Sequence, residues 1–122
     1  MTAAPEADCA QRFPSRYRLR KRREFLSLQR DGRRHSTPHF VVITRSALGP
    51  SRLGVTTSRK VGNAPQRNRI RRVVRECFRR LRWRLDPARE VLVIARPGAA
   101  ALAYVDVVHE LSRALRVDAA NE

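Results

Sequence analysis

Hydrophobic residues along this chain fall into six short groups separated by polar or turn residues. In residues 20–31, Phe25, Leu26 and Leu28 give one apolar side and Gly32 stands near the end, which predicts a first helix. Residues 39–45 are rich in Phe, Val and Ile and predict a strand. Gly49-Pro50-Ser51 predicts a turn, and Leu53, Val55 and Thr57 alternate in a second strand over 53–58. The two strands are expected to pair as a hairpin with a long loop. Between 64 and 85, Ile70, Val73, Val74, Cys77, Phe78, Leu81 and Leu85 recur at three- and four-residue spacing. That is a single apolar stripe on a helix, with Asp86-Pro87 as its stop. Val91 to Ala95 is a short, uninterrupted apolar run, the pattern of a strand buried on both faces. Arg96-Pro97-Gly98 breaks it. Tyr104, Val107, Val108, Leu111 and Leu115 then mark a last amphipathic helix, with Asp106 near its start.

The predicted fold is α/β, an α+β-like two-layer sandwich with one sheet of about four strands packed by helices. The order is α-β-β-(β)-α-β-α, with room for one further strand before the long helix. Residues 1–14 lack periodicity and are expected to be a disordered tail. Residues 15–117 form a single domain, and 118–122 a C-terminal tail.

The helix predicted over 64–85 starts with unusual clarity. Asn63 is a good N-cap, because its side-chain oxygen can accept an amide of the first turn. Pro65 fits that turn, where an N–H is not needed. Arg67, Asn68 and Arg69 follow near the positive end of the helix dipole, a place suited to anions. Arginine adds a planar fork that grips phosphate in two places. Arg67, Arg71, Arg75, Arg79 and Arg82 line one flank of the apolar stripe. Like charges four apart on a helix repel, so such a ladder calls for a polyanion.

Composition supports this. The formal net charge is +16, and among 27 basic residues only Lys21 and Lys60 are lysines. Residues 12–34 carry ten basic and two acidic side chains, and residues 59–84 carry eleven basic ones and one acid, Glu76. Residues 85–122 have four basic and six acidic side chains, the balance of a scaffold. Nucleic acid is the leading partner and an anionic membrane surface the second. No apolar stretch is long enough to span a membrane, and no signal peptide is visible. Cys9 and Cys77 are too few for a disulfide framework or a zinc site, so a reduced, cytoplasmic setting is expected.

Nothing in the sequence suggests that the protein supplies reacting groups. His35, His39 and His109 lack the spacing of a metal or nucleophile site, and no glycine-rich phosphate loop occurs. A protein-only nuclease would need acidic metal ligands. A helix-turn-helix DNA binder would need a short helix before the basic one. Phe25 and Phe40 lie among basic residues and are read two ways, as stacking platforms for unpaired bases or as core.

Arg67-Asn68-Arg69-Ile70-Arg71-Arg72, preceded by Ser58-Arg59-Lys60-Val61-Gly62-Asn63-Ala64, resembles the signature of the bacterial ribonuclease P protein family. Arg18-Leu19-Arg20-Lys21-Arg22-Arg23-Glu24-Phe25 resembles that family's opening segment. Phe40-Val41-Val42 resembles its first strand, and Val93-Ile94-Ala95-Arg96-Pro97 its later strand and exit. The resemblance covers about residues 16–116. It implies a left-handed βαβ crossover, against the usual rule. It implies a basic cofactor protein for a catalytic RNA that removes the 5′ leader from precursor tRNA. Magnesium ions would be bound with the RNA subunit rather than tightly by the protein, and no obligate protein partner is expected. By position, Arg67, Asn68, Arg69, Arg71, Arg72 and Arg75 would dock on the catalytic RNA. Phe25, Phe40, Arg59, Lys60 and Arg96 would line the leader cleft. Gln29 and Ile43 stand where many or some relatives carry further aromatics. The alternative is a structural RNA-binding protein such as a ribosomal component, which would need no leader cleft.

Overall fold

The computed structural model describes residues 18–116 apart from 20 and 86. The two expected tails, Cys9 and the proposed stop at Asp86 lie outside the described residues. Helix α1 is Arg22–Asp31, followed by strands β1 (Arg33–Ser36), β2 (Phe40–Ser46) and β3 (Arg52–Thr56). Helix α2 is Ala64–Leu81, extended by a 3-10 turn at Arg82–Arg84. Strand β4 is Arg89–Ala95, a 3-10 turn covers Ala99–Ala101, and helix α3 is Tyr104–Leu115.

The sheet order is β1-β2-β4-β3. β1 and β2 form an antiparallel hairpin, with Ser36 opposite Val41. β4 is antiparallel to β2, with Phe40 opposite Ala95, and parallel to β3, with Thr56 opposite Ile94. The expected hairpin between β2 and β3 is therefore incorrect: the turn after Ser46 carries β3 past its predecessor, and β4 enters the gap. The reason lies in β4 itself. Val91, Leu92 and Val93 are all buried, so this strand needs a neighbour on each edge and cover on each face.

Alternation sorts the side chains onto the two faces. Phe40, Val42, Leu53, Val91, Val93 and Ala95 point toward α2 and α3 and form the larger core. α2 contributes Ile70, Val74, Cys77, Phe78 and Leu81, and α3 contributes Val107, Leu111, Ala114 and Leu115. On the other face Ile43 and Leu92 meet Leu19 and Leu28, with Phe25, Val41 and Ile94 partly buried beside them. So α1 covers part of the second face and leaves the rest of it open. An ion network fastens α1 there: Arg52 reaches Glu24 at 3.0 Å and Glu90 at 3.4 Å, and Arg45 reaches Glu90 at 2.6 Å.

Candidate nucleic-acid interface

α2 starts as its sequence demands. The Gln66 amide donates to Asn63 Oδ1 at 2.9 Å, and the Asn63 amide donates to Gln66 Oε1 at 2.8 Å. This reciprocal capping box fixes the first turn. Gly62 is required before it, because its φ is +156° and a Cβ would collide with the Gln66 side chain. The cap changes the expected anion site, however. The amides of Gln66 and Arg67 are both committed to Asn63, and Pro65 has none. Positive charge at this helix start therefore comes mainly from side chains.

Those side chains do different things. Arg72 and Asn68 are exposed. Arg71 donates to Asn68 Oδ1 at 2.8 Å, so the asparagine orients an arginine one turn ahead. Arg67 is half-buried, and its Nε lies out of solvent without a hydrogen bond. A buried donor of that kind is costly until an acceptor reaches it. Arg69 is turned toward the protein, donating to Ala100 O at 3.0 Å and Leu102 O at 2.9 Å. It ties α2 to the connection before α3, a role its place in the motif does not reveal.

Arg75 belongs to a different surface from the one expected. It lines a groove of about 260 Å³ with Arg18, Leu19, Phe25, Leu53, Gly54 and Val55. Burial holds the Arg75 guanidinium below its ordinary range, and the charges of Arg18 and Arg71 push it the same way. Phe25 lies half-buried over the middle of β3. A Cβ on Gly54 would come within 2.8 Å of its ring, so the glycine makes room for the aromatic. Phe40, expected in the leader cleft, does not reach it. It is fully buried in the core against α2 and α3, because the first residue of β2 points away from the α1 face. Its ring offers no surface to a ligand.

Arg59, Lys60 and Arg96 are exposed, and topology brings them together. β3 and β4 are parallel, so the segments leaving them emerge at the same end of the sheet. Arg96 is steadied there by donating to Thr37 O at 3.1 Å. The start of α2, which follows β3 in the chain, lies toward this end too. Arg18 completes the groove from the segment before α1.

One polar cluster has no signal in the sequence. Glu110 on α3 accepts from Thr37 Oγ1 at 2.7 Å and from the His39 amide at 3.0 Å, and pairs with His39 Nδ1 at 2.6 Å. Burial would raise the Glu110 pKa, but these hydrogen bonds outweigh it and hold the carboxyl below its ordinary value. The cluster pins the β1–β2 connection to α3. Glu76 is taken up by arginines, pairing with Arg79 at 2.8 Å and Arg80 at 3.1 Å. Among the described residues no three His, Cys, Asp or Glu side chains are placed to share a metal ion. No helix among them is long and apolar enough to cross a membrane.

Residues 13–117 match the sequence profile of the family described as Ribonuclease P. The chain belongs to the ribonuclease P protein family. A ribonuclease P protein component from Syntrophus aciditrophicus is 40% identical over 95 residues, covering 77% of this chain and 80% of that one. Its counterpart in Desulforapulum autotrophicum is 41% identical over 102 residues, covering 83% and 87%. The fold agrees with solved structures of the family. The Staphylococcus aureus RNase P protein superposes with a TM-score of 0.75 at 31% identity, over 82% of this chain and 93% of that one. The Thermotoga maritima RNase P protein gives 0.72 at 33% identity, over 83% and 97%. Membership in the ribonuclease P protein family leaves the ribosomal alternative without support.

Proposed function

We propose that this chain is the protein subunit of ribonuclease P and acts in maturation of the tRNA 5′ end. In this reading it docks on the catalytic RNA through the start of α2, with Arg67, Arg71 and Arg72 meeting phosphates and Asn68 orienting Arg71. Arg69 supports that surface from behind. The 5′ leader of precursor tRNA lies along the open α1 face, stacked on Phe25 and held by Arg18, Arg75, Arg59, Lys60 and Arg96. The observation that carries the reading is the groove itself. An aromatic edge over Gly54, with two guanidinium groups in the same lining, suits an unpaired strand.

The chemistry is assigned to the RNA. The described residues do not fit a metal: most of their carboxylates are spent on arginine, threonine and histidine partners, and none is grouped with two other potential ligands. Magnesium would be held by the RNA, and the protein contributes binding and orientation. A cytoplasmic location goes with this role.

The test is reconstitution of the full chain with a ribonuclease P RNA transcript and magnesium. Affinities for precursor and mature tRNA are then compared with and without the protein. The protein is expected to tighten precursor binding selectively and to show no cleavage without the RNA. Specific cleavage by the RNA-free protein would refute the assignment of chemistry. Equal tightening of both tRNAs would refute the leader groove.

A further inference from the structure

Beyond the groove and the start of α2, one large aromatic stands in solvent on a basic surface. Trp83, the only tryptophan of the chain, sits in the 3-10 turn that ends α2 and is 76% exposed. Burying an indole is among the larger gains open to a folding chain, and here that gain is forgone. The Arg82 guanidinium carbon lies 4.2 Å from the indole ring centroid, so one face of the ring is backed by a cation. Arg80 and Arg84 are exposed on either side in sequence.

Spacing connects this site to the motif at the other end of the helix. Asn68, Arg72 and Arg79 follow one another at four and seven residues, which keeps them on one side of α2. Trp83 comes four residues after Arg79. At about 1.5 Å per residue it lies roughly 22 Å along the axis from Asn68. α2 begins where β3 and β4 end and finishes where β4 begins. Trp83 is therefore at the opposite end of the sheet from Arg59, Lys60 and Arg96. A strand gathered by those residues need not reach it, whereas an RNA lying along α2 would.

We propose that Trp83 is a stacking platform for an unpaired base of the RNA subunit, with Arg82 and the base on opposite faces of the indole. The proposal rests on docking of that RNA along α2. Charge selects the occupant: residues 59–84 carry eleven basic side chains and one acid, so a second copy of this chain would bring like charge against like.

Because Trp83 is the sole tryptophan, its emission reports on this site alone. The full chain is titrated with a ribonuclease P RNA transcript, following binding by filter retention and emission together. Stacking is expected to quench Trp83 as the complex forms. Trp83→Ala is expected to bind about tenfold more weakly, the scale of one base–aromatic stack, and Trp83→Phe to recover most of the loss. Saturation with unchanged emission, or equal affinity of Trp83→Ala, overturns the proposal and leaves docking on α2 intact. Failure of the wild-type chain to bind the transcript overturns both. Emission that shifts with protein concentration alone, together with a dimer in sedimentation, makes Trp83 a contact between copies and overturns it as well.

Discussion

Gly54→Ala is the most discriminating change to the leader groove, because it acts on Phe25 without touching it. The new Cβ would lie 2.8 Å from Phe25 Cε1 and 3.2 Å from Leu19 Cβ. Carbon atoms prefer roughly 3.5–4.0 Å, so the ring edge must rise by about 0.7 Å or swing aside. Overpacking of this kind costs about 1–3 kcal/mol. Replacing a strand glycine returns about 0.5–1 kcal/mol. The net loss of stability is therefore about 1 kcal/mol, and the variant should fold. A displaced Phe25 forfeits some or all of a base stack worth about 1–3 kcal/mol. Precursor tRNA affinity of the reconstituted holoenzyme should fall, and mature tRNA affinity should hold. Phe25→Ala should do the same. With the ring gone only the 3.2 Å approach to Leu19 Cβ remains, so Gly54→Ala should add little further loss of precursor affinity in the Phe25→Ala background. A double-mutant cycle on precursor affinity measures that coupling. Additive losses would show that the glycine does not work through the ring, and the geometry assigned to the groove would be wrong.

Further outcomes follow from the contacts. Arg69→Ala loses two charged hydrogen bonds and should lower unfolding stability in urea by about 1.5–3 kcal/mol. Arg72→Ala should leave the urea midpoint unchanged, weaken RNA binding and reduce the salt slope by about 1. Phe40→Ala empties a fully buried site and should cost about 3–5 kcal/mol of stability, with precursor and mature tRNA affected alike. Glu110→Gln tests the pH dependence: folding favours the ionised carboxylate, so its contribution is present above about 4.5 and is lost as pH falls through the lowered folded value. Thermal melts of wild type should drop across that acid range, and those of Glu110→Gln should drop less. His35, lowered by burial and then by Arg116, Arg33 and Arg89, also favours stability at higher pH. Its loss begins as pH falls below 6.5, so His35→Gln separates the two.

The features legible in the sequence are those set by near neighbours. The capping box of α2 needs only Asn63 and Gln66, and its buried stripe needs only helical spacing. The apolar run of β4 announces a strand covered on both faces, and the structure buries it so. Partners distant in the chain left no such trace. Gly49-Pro50-Ser51 signals a reversal but does not say which strand lies alongside, and β4 displaces β3 from β2. Arg33-Arg34-His35-Ser36 has no apolar face, because β1 is an edge strand and takes its order from backbone pairing with β2. Glu110 meets His39 across 71 residues, and its neighbour His109 gives no hint of it. The binding motif was legible as a run of arginines but not as a division of labour. Arg67, Arg69, Arg71 and Arg72 look alike in sequence, and only packing assigns Arg69 to Ala100 and Leu102. Phe25 and Phe40 were likewise indistinguishable until the register of β2 turned one of them inward.

The central position of β4 has a consequence for how the chain is made. β2 and β3 do not pair with each other, and both wait for a strand that ends at Ala95. During synthesis the β1–β2 hairpin can close and α2 can coil, since their partners are local. The larger core cannot assemble until most of the polypeptide is available, because β4 supplies its middle and α3 its far wall. Long-range strand pairing of this kind is slow and leaves apolar edges exposed meanwhile. The eleven basic side chains of residues 59–84 make unfinished chains repel one another over that interval, which opposes their association until the last strand slots between its neighbours.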